Sequence, residues 1–415
     1  MNFVFISPHF PKHYWNFCDR LHKNGVNVLG IGDCPYDALD KRLKDSLTEY
    51  YFVPDLSDYD QMYRAVAYFA FKHGKIDWIE SNNEFWLEQD ARLRTDFHVT
   101  TGYQYENIAS IKNKSAMKEF YAKAGVPTAR LHKITDIEAA RKFIAVVDYP
   151  VIVKPDVGVG ACDTFKLEND ADLQEFFAKN LPVPYVMEEF ITGDICSYDA
   201  IIDADSKPLL ESMTVWPPSV MDIVLKQLDL SYYTAAHAPA ELKGVGRATV
   251  KAFGVKSRFV HLEFFRLTKA KAGLGDVGDF VGLEVNMRPA GGYTPDMIDF
   301  AHSTDVYQVW ADMVTDNYRK LPDSGEHCYC VYASRRDCHQ YVHTHGEIME
   351  RYGAQLVMCE RMPEMMVPQM GNQMYTAKVP SQDAVDEFIH FVLDQAAVAE
   401  DTAAEETDVK FCLTY

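Results

Sequence analysis

The sequence predicts a mixed protein, α/β over about its first hundred residues and α+β from about Ile111 onward. Two observations carry this. Early strand-like runs (Asn2 to Ser7, Val26 to Ile31, Tyr51 to Val53 and Ile76 to Ile79) alternate with helical spacing at Tyr14 to Lys23 and Tyr59 to His73. That order builds a parallel sheet with helices on its faces. After Ile111 the expected elements are two helices (Lys112 to Ala124, Asp136 to Val146) and strands at Val151 to Lys154, Tyr185 to Phe190, Ser197 to Asp203, Phe259 to Arg266 and Phe280 to Val285. Such a mixture indicates an antiparallel sheet with helices beside it.

Each boundary has local chemistry behind it. Asn24 and Gly25 end the first helix, and Gly125 followed by Pro127 ends the helix from Lys112, the usual stop signals. Tyr329 to Lys378 reads as a small strand–helix–strand module, and the acidic, alanine-rich stretch after Ala396 reads as a poorly ordered tail. In parallel sheets ligands sit at the carboxyl ends of strands. Those ends are Ser7-Pro8-His9-Phe10, Gly32-Asp33 and Ser81-Asn82-Asn83-Glu84.

At 415 residues with 47% hydrophobic composition, the chain has material for two or three cores. No apolar run approaches the length of a membrane span. The N-terminus reads as a first strand and not as a signal peptide, so a cytoplasmic location is expected. Nine scattered cysteines suit a reducing compartment. A net charge of −20 argues against a nucleic-acid partner, but not against a nucleotide, because a lysine pair and a metal reverse the field inside one cleft.

Four features in fixed order carry the chemistry. Lys114 lies on the helix from Lys112. The apolar strand Val151-Ile152-Val153 then delivers Lys154 to a loop containing Gly158 and Gly160. There backbone N–H groups can approach phosphate oxygens beside an ammonium. Met187-Glu188-Glu189-Phe190-Ile191-Thr192-Gly193-Asp194 is a strand end with paired carboxylates and a turn glycine; taken alone, such glutamates are expected to be solvated. Finally, His261-Leu262-Glu263 sets one carboxylate among apolar neighbours, and Glu284-Val285-Asn286-Met287-Arg288 alternates so that Glu284, Asn286 and Arg288 share one face. Two carboxylates and an amide oxygen on neighbouring strands make a hard-oxygen site suited to Mg²⁺, and the arginine suits a transferring phosphoryl group.

In this combination the chain resembles the ATP-grasp superfamily, in the branch that includes carboxylate–amine ligases, over about residues 1 to 390. The likeness to amino-acid ligases runs through Arg288-Pro289-Ala290-Gly291-Gly292-Tyr293-Thr294-Pro295. The resemblance implies a Rossmann-like domain (1–111), an ATP-grasp domain (112–325), a small closing module (326–395) and a flexible tail (396–415). It implies that Lys114 and Lys154 bind ATP phosphates beside Gly158 and Gly160, and that the backbone from Glu188 through Glu189 and Phe190 to Ile191 holds adenine. Glu263, Glu284 and Asn286 would bind magnesium, and Arg288 would steady an acyl phosphate. Many relatives place a ribose-binding glutamate where this chain has Ile195, leaving Asp194 or Asp199 for that role.

The expected reaction is attack of a small carboxylate on ATP, then displacement of phosphate by an amine. Bicarbonate activation of the carboxylase or carbamoyl phosphate synthetase kind, a kinase that stops at phosphoryl transfer and a non-catalytic ATP-binding protein are the alternatives. The expected partners are small molecules, with neither nucleic acid nor membrane, and a homodimer is compatible with this reading. His237 and His302 are candidates for a general base by position alone, and Trp216-Pro217-Pro218 for a rigid loop near the cleft. His327, Cys328, Cys330, Cys338, His339, His343 and His345 form a rival zinc set, which strand alternation at Cys328 and Cys330 disfavours.

Overall fold

The computed structural model describes residues 1–158, 163–179, 183–217 and 228–396. Gly160, Pro218 and the tail beyond 396 therefore lie outside the described residues. Strands β1 (Asn2–Ile6), β2 (Asn27–Gly32), β3 (Glu49–Phe52) and β4 (Trp78–Glu80) form a parallel sheet ordered β3-β2-β1-β4. Alternation along β1 sends Val4 and Ile6 toward the helix Tyr59–His73 and Phe3 and Phe5 toward the helix Trp15–Lys23. Phe5 and Phe17 also meet Trp310, from the much later helix Val306–Asp316. The parallel sheet is thus welded to a distant part of the chain.

A second sheet holds β5 (Leu131–Lys133), β6 (Val151–Pro155), β7 (Phe165–Leu167) and β8 (Tyr185–Glu189) in the antiparallel order β5-β8-β6-β7. Val151 and Val153 point into a core shared with the helices Ile137–Val147 and Asp170–Ala178. The intervening Ile152 and Lys154 therefore face away from that core, as the two-residue period of a strand requires.

The third sheet is antiparallel and contains β9 (Gly193–Ile202), β10 (Pro208–Trp216), β11 (Leu230–Thr234), β12 (Arg258–Leu267), β13 (Phe280–Asn286), β14 (Tyr329–Arg335), β15 (Leu356–Arg361) and β16 (Gln373–Val379). Its order is β13-β12-β9-β10-β11-β14-β16-β15. The last three strands extend the sheet begun by β9 to β13, so hydrogen bonding runs without a break past residue 325. β10 and β11, near the middle of this sheet, were not anticipated from the sequence.

One face of the sheet packs Tyr198, Leu262, Phe264 and Val285 under Met117, Tyr121, Leu242 and Val250, from the helices Lys114–Ala124 and Ala240–Ala252. Gly282 sits beneath Tyr121, where an added Cβ would come within 2.5 Å of the ring. The close approach, not backbone freedom, is what glycine permits here. The helix expected from Lys112 is broken at Asn113, whose extended backbone separates a short helix Ala109–Lys112 from Lys114–Ala124. The break makes Lys114 the first helical residue and aims its N–H at the Asp156 carbonyl, 2.9 Å away.

Candidate active site

The small sheet and the large sheet approach each other at the ends of β6, β8 and β13, and the predicted lysines and carboxylates meet there. Lys154 lies beside Val186 in the β6–β8 ladder, while Glu188 lies beside Ile152. Both side chains therefore project from the same face. Lys154 Nζ reaches Glu188 Oε2 at 2.7 Å, and Lys118 reaches the other oxygen at 2.6 Å. Burial alone would raise the Glu188 pKa, but the two ammonium groups hold it down at about 2. Burial opposes the charge on Lys154, but Glu188, with Glu284 and Glu263 farther off, raises its pKa.

Asp156, at the root of the glycine loop, accepts hydrogen bonds from Ser115 N and Oγ at 2.8 and 2.7 Å. This ties the loop to the helix carrying Lys114, and Lys114 Nζ donates to the Gly158 carbonyl at 3.3 Å. The expectation that the paired glutamates are solvated is corrected: Glu188 and Glu189 are both buried. Ladder partners cover Glu188, while Glu189 is held by Arg130 at 2.7 Å and Lys271 at 3.1 Å. Lys271 also donates to the Phe190 carbonyl at 2.6 Å. Ile191 follows as a buried residue whose backbone N–H and carbonyl make no hydrogen bond among the described residues.

Across the cleft, Glu263 and Glu284 are direct partners in the β12–β13 ladder, and His261 pairs with Asn286 one step along. A bulge just after Glu263 absorbs Leu283. Asn286 Nδ2 contacts Glu263 Oε1 at 3.5 Å, Lys114 reaches Glu284 at 3.1 Å, and Arg288 Nη2 reaches Asn286 Oδ1 at 3.4 Å. His261 was read only as a neighbour, yet it bridges Asp199 at 2.7 Å and Glu263 at 3.1 Å. Burial would lower its pKa, but the two carboxylates raise it to about 9. Glu263 is correspondingly held ionised by His261, Arg288 and Lys154 against the effect of burial. The signal for His261 was present in the sequence, since residues two apart on a strand share a face.

These groups suit a divalent cation. Two carboxylates lie opposite one another with an amide beside them, and their basic partners, His261 and Lys114, occupy positions a metal would take. Of the ribose candidates, Asp199 is engaged by His261 and by Ser197 Oγ at 2.5 Å, and Asp194 is exposed at the start of β9.

Five further polar atoms are buried without a hydrogen bond where the parallel sheet meets the loop after β13: His13 Nε2, Asn82 Nδ2, Glu84 Oε2, Arg288 Nε and Asp296 Oδ2. Arg288 Nε and Glu84 Oε2 are 3.3 Å apart without hydrogen-bond alignment, and the His13 ring stacks 5.6 Å from Tyr293. Burial raises the Asp296 pKa and lowers that of His13. Buried polar groups without partners call for an explanation, and a substrate pocket is one. His13 and Asp296 were missed, because nothing local in the sequence marks them. Trp216 lies at this cleft, its ring 5.4 Å from that of His261.

Among the described residues neither His237 nor His302 contacts these carboxylates. His302 bonds Ser212 and His327 instead, which corrects their reading as general bases. The rival zinc set is dispersed: His339 pairs with Asp229, His345 with the Tyr375 hydroxyl, and His343 stacks on Phe391. Among the described residues no group of three such side chains is placed to hold a metal.

Two sheets closing on a lysine-lined, carboxylate-lined cleft make an arrangement suited to nucleotide phosphates and a divalent cation. Residues 111–226 match the family model described as ATP-grasp domain. The chain is 26% identical over 302 residues to an L-arginine-specific L-amino acid ligase of Bacillus subtilis, covering 68% of this chain and 67% of the relative. The crystal structure of an L-amino acid ligase from Bacillus licheniformis superposes with a TM-score of 0.68 at 14% identity, over 94% of this chain and 96% of that one. A biotin carboxylase domain from Hydrogenobacter thermophilus, solved with MgADP and bicarbonate, gives 0.65 at 14% identity, over 95% and 90%. Residues 111–226 thus match an ATP-grasp domain, and the chain is similar over about two thirds of its length to an L-amino acid ligase. No helix among the described residues is long and apolar enough to cross a membrane.

Proposed function

We propose that the enzyme joins an amino acid, through its carboxylate, to the amine of a second small molecule, and that the residues above divide the work. Lys114 and Lys154 hold the ATP phosphates, exchanging Glu284 and Glu188 for phosphate oxygens of the same charge. The open backbone of Ile191 and its neighbours holds adenine. Glu263, Glu284 and Asn286 hold magnesium, which when bound supplies charge neutralisation at the phosphates.

The substrate carboxylate attacks the γ-phosphorus and ADP leaves. The amine then forms the C–N bond as the C–O bond to phosphate breaks, and it gives up one proton. Arg288 extends one residue pair beyond Asn286, where its planar fork reaches two oxygens of the departing phosphoryl group. A cytoplasmic location fits the free thiols of the described cysteines.

The observation that carries the amino-acid reading is the group of unpartnered buried atoms. Glu84 Oε2 and Asp296 Oδ2 offer acceptors for a substrate ammonium, while Arg288 Nε, Asn82 Nδ2 and His13 Nε2 line the same region. Two carboxylates in one region, Glu84 and Asp296, suit a substrate ammonium better than a bicarbonate anion. The test is ADP release across pairs of the common amino acids, with products read by mass spectrometry. Phosphate release with bicarbonate and an acceptor, but with no amino acid, would reject this reading.

A further inference from the structure

A cavity of about 280 Å³ lies away from the cleft, at the opposite end of β10 from Trp216. None of Lys114, Lys154, Glu188, Glu263 or Glu284 lines it. Its wall carries His237, His302, His327, Lys243, Arg319 and Asp323. Its volume is at the small end of the range for ligand pockets, roughly 300–1,000 Å³.

The acidic groups there are already satisfied. Glu211 takes both Arg247 nitrogens, at 2.8 and 2.5 Å, and the Tyr198 hydroxyl at 2.8 Å. Asp323 accepts the Gly325 N–H at 3.0 Å and faces His327 at 3.3 Å. The basic groups are not satisfied. Lys243 has no ion pair among the described residues, and Arg319 Nε is buried without a hydrogen bond while its Nη2 is turned to Thr304 and Pro322.

The histidines are not arranged as metal ligands. His302 Nδ1 and His327 Nδ1 face each other at 2.9 Å, and His302 Nε2 meets Ser212 Oγ at 2.9 Å. Those nitrogens are committed to one row, hydrogen-bonded from Ser212 through His302 to His327 and closed by the His327–Asp323 contact, which fixes the rings as a wall. The His237 ring lies 4.9 Å from that of His327 at the exposed side. Two cationic side chains with no ion pair among the described residues, beside a fixed polar wall and with Glu211 already paired to Arg247, suit a compact anion.

We propose that this cavity is a second ligand site, binding a small oxyanion (a carboxylate- or phosphate-bearing metabolite) through Lys243 and Arg319. The test fills the nucleotide site with a non-hydrolysable MgATP analogue, then titrates inorganic phosphate and, separately, succinate by calorimetry. Saturable one-site binding of either probe is expected, weakened at least 10-fold in Lys243→Ala and in Arg319→Gln with the circular dichroism spectrum unchanged. Binding of phosphate alone or of succinate alone identifies which oxyanion the site takes. No saturable binding of either probe, or binding indifferent to both substitutions, overturns the proposal. It does not rest on the amino-acid reading, because neither residue touches the cleft and turnover is not the readout.

Discussion

Lys154 and Glu188 form an ion pair of 2.7 Å on one face of the small sheet, and Lys118 shares the same carboxylate. The lysine proposed to hold phosphate is thus paired with the strand that leads into the segment proposed to hold adenine. A buried ammonium needs such a counter-charge, and phosphate oxygens can take that place without moving the backbone. Binding then exchanges one charge pair for another, which lowers the desolvation cost of admitting the nucleotide.

Removing this lysine tests the exchange. Lys154→Ala should weaken ATP binding by at least 10-fold in a titration, with Lys114→Ala adding a smaller loss and both spectra by circular dichroism intact. Unchanged affinity in both variants would remove the phosphate site.

The same pair makes a pH prediction. The Glu188 pKa falls from the usual 4.5 to about 2 in the folded protein, so its stabilisation is present above about pH 4.5 and is lost as pH falls toward 2. A shift of that size corresponds to about 3 kcal/mol. Glu188→Gln should therefore be less stable than the parent near neutrality, and the gap in denaturant unfolding should narrow on acidification. A gap independent of pH between 6 and about 3 would mean that Glu188 is not held by the lysines.

Glu284→Gln keeps the size of the side chain and removes one charge facing Glu263. Turnover should fall far more than nucleotide affinity, and the magnesium concentration giving half-maximal rate should rise. Parental turnover at limiting magnesium would reject the metal assignment.

Arg288→Lys should bind ATP normally yet lose on the order of 10²-fold in turnover, the scale for one lost transition-state donor. The step it serves is read with ¹⁸O-labelled carboxylate substrate. Label should appear in the released phosphate; label absent from phosphate would exclude attack of the carboxylate on phosphorus.

Gly282→Ala tests the packing of the large sheet against the helix Lys114–Ala124. The added methyl would press on the Tyr121 ring from 2.5 Å, and overpacking of this kind costs roughly 1–3 kcal/mol. The melting temperature should fall by several degrees, and an unchanged melting temperature would mean that Tyr121 moves aside without cost.

Composition and periodicity by themselves determined the parallel first sheet, the helix Tyr59–His73 and the placement of Lys154 at the end of an apolar strand. The alternation from Glu284 to Arg288 was equally legible, because a strand's period is set by its own backbone. So was the pairing of His261 with Glu263, though only its geometry revealed the use. Tertiary structure alone decided the rest. The register that sets Glu263 opposite Glu284 depends on a bulge, and the burial of Glu188 depends on Lys118, seventy residues away in sequence. His13, Glu84 and Asp296 come from three separate segments, and only folding leaves their polar atoms unpartnered in one region. Local pattern reports which way a side chain points from its own backbone, whereas which charges face one another is settled when separate elements pack.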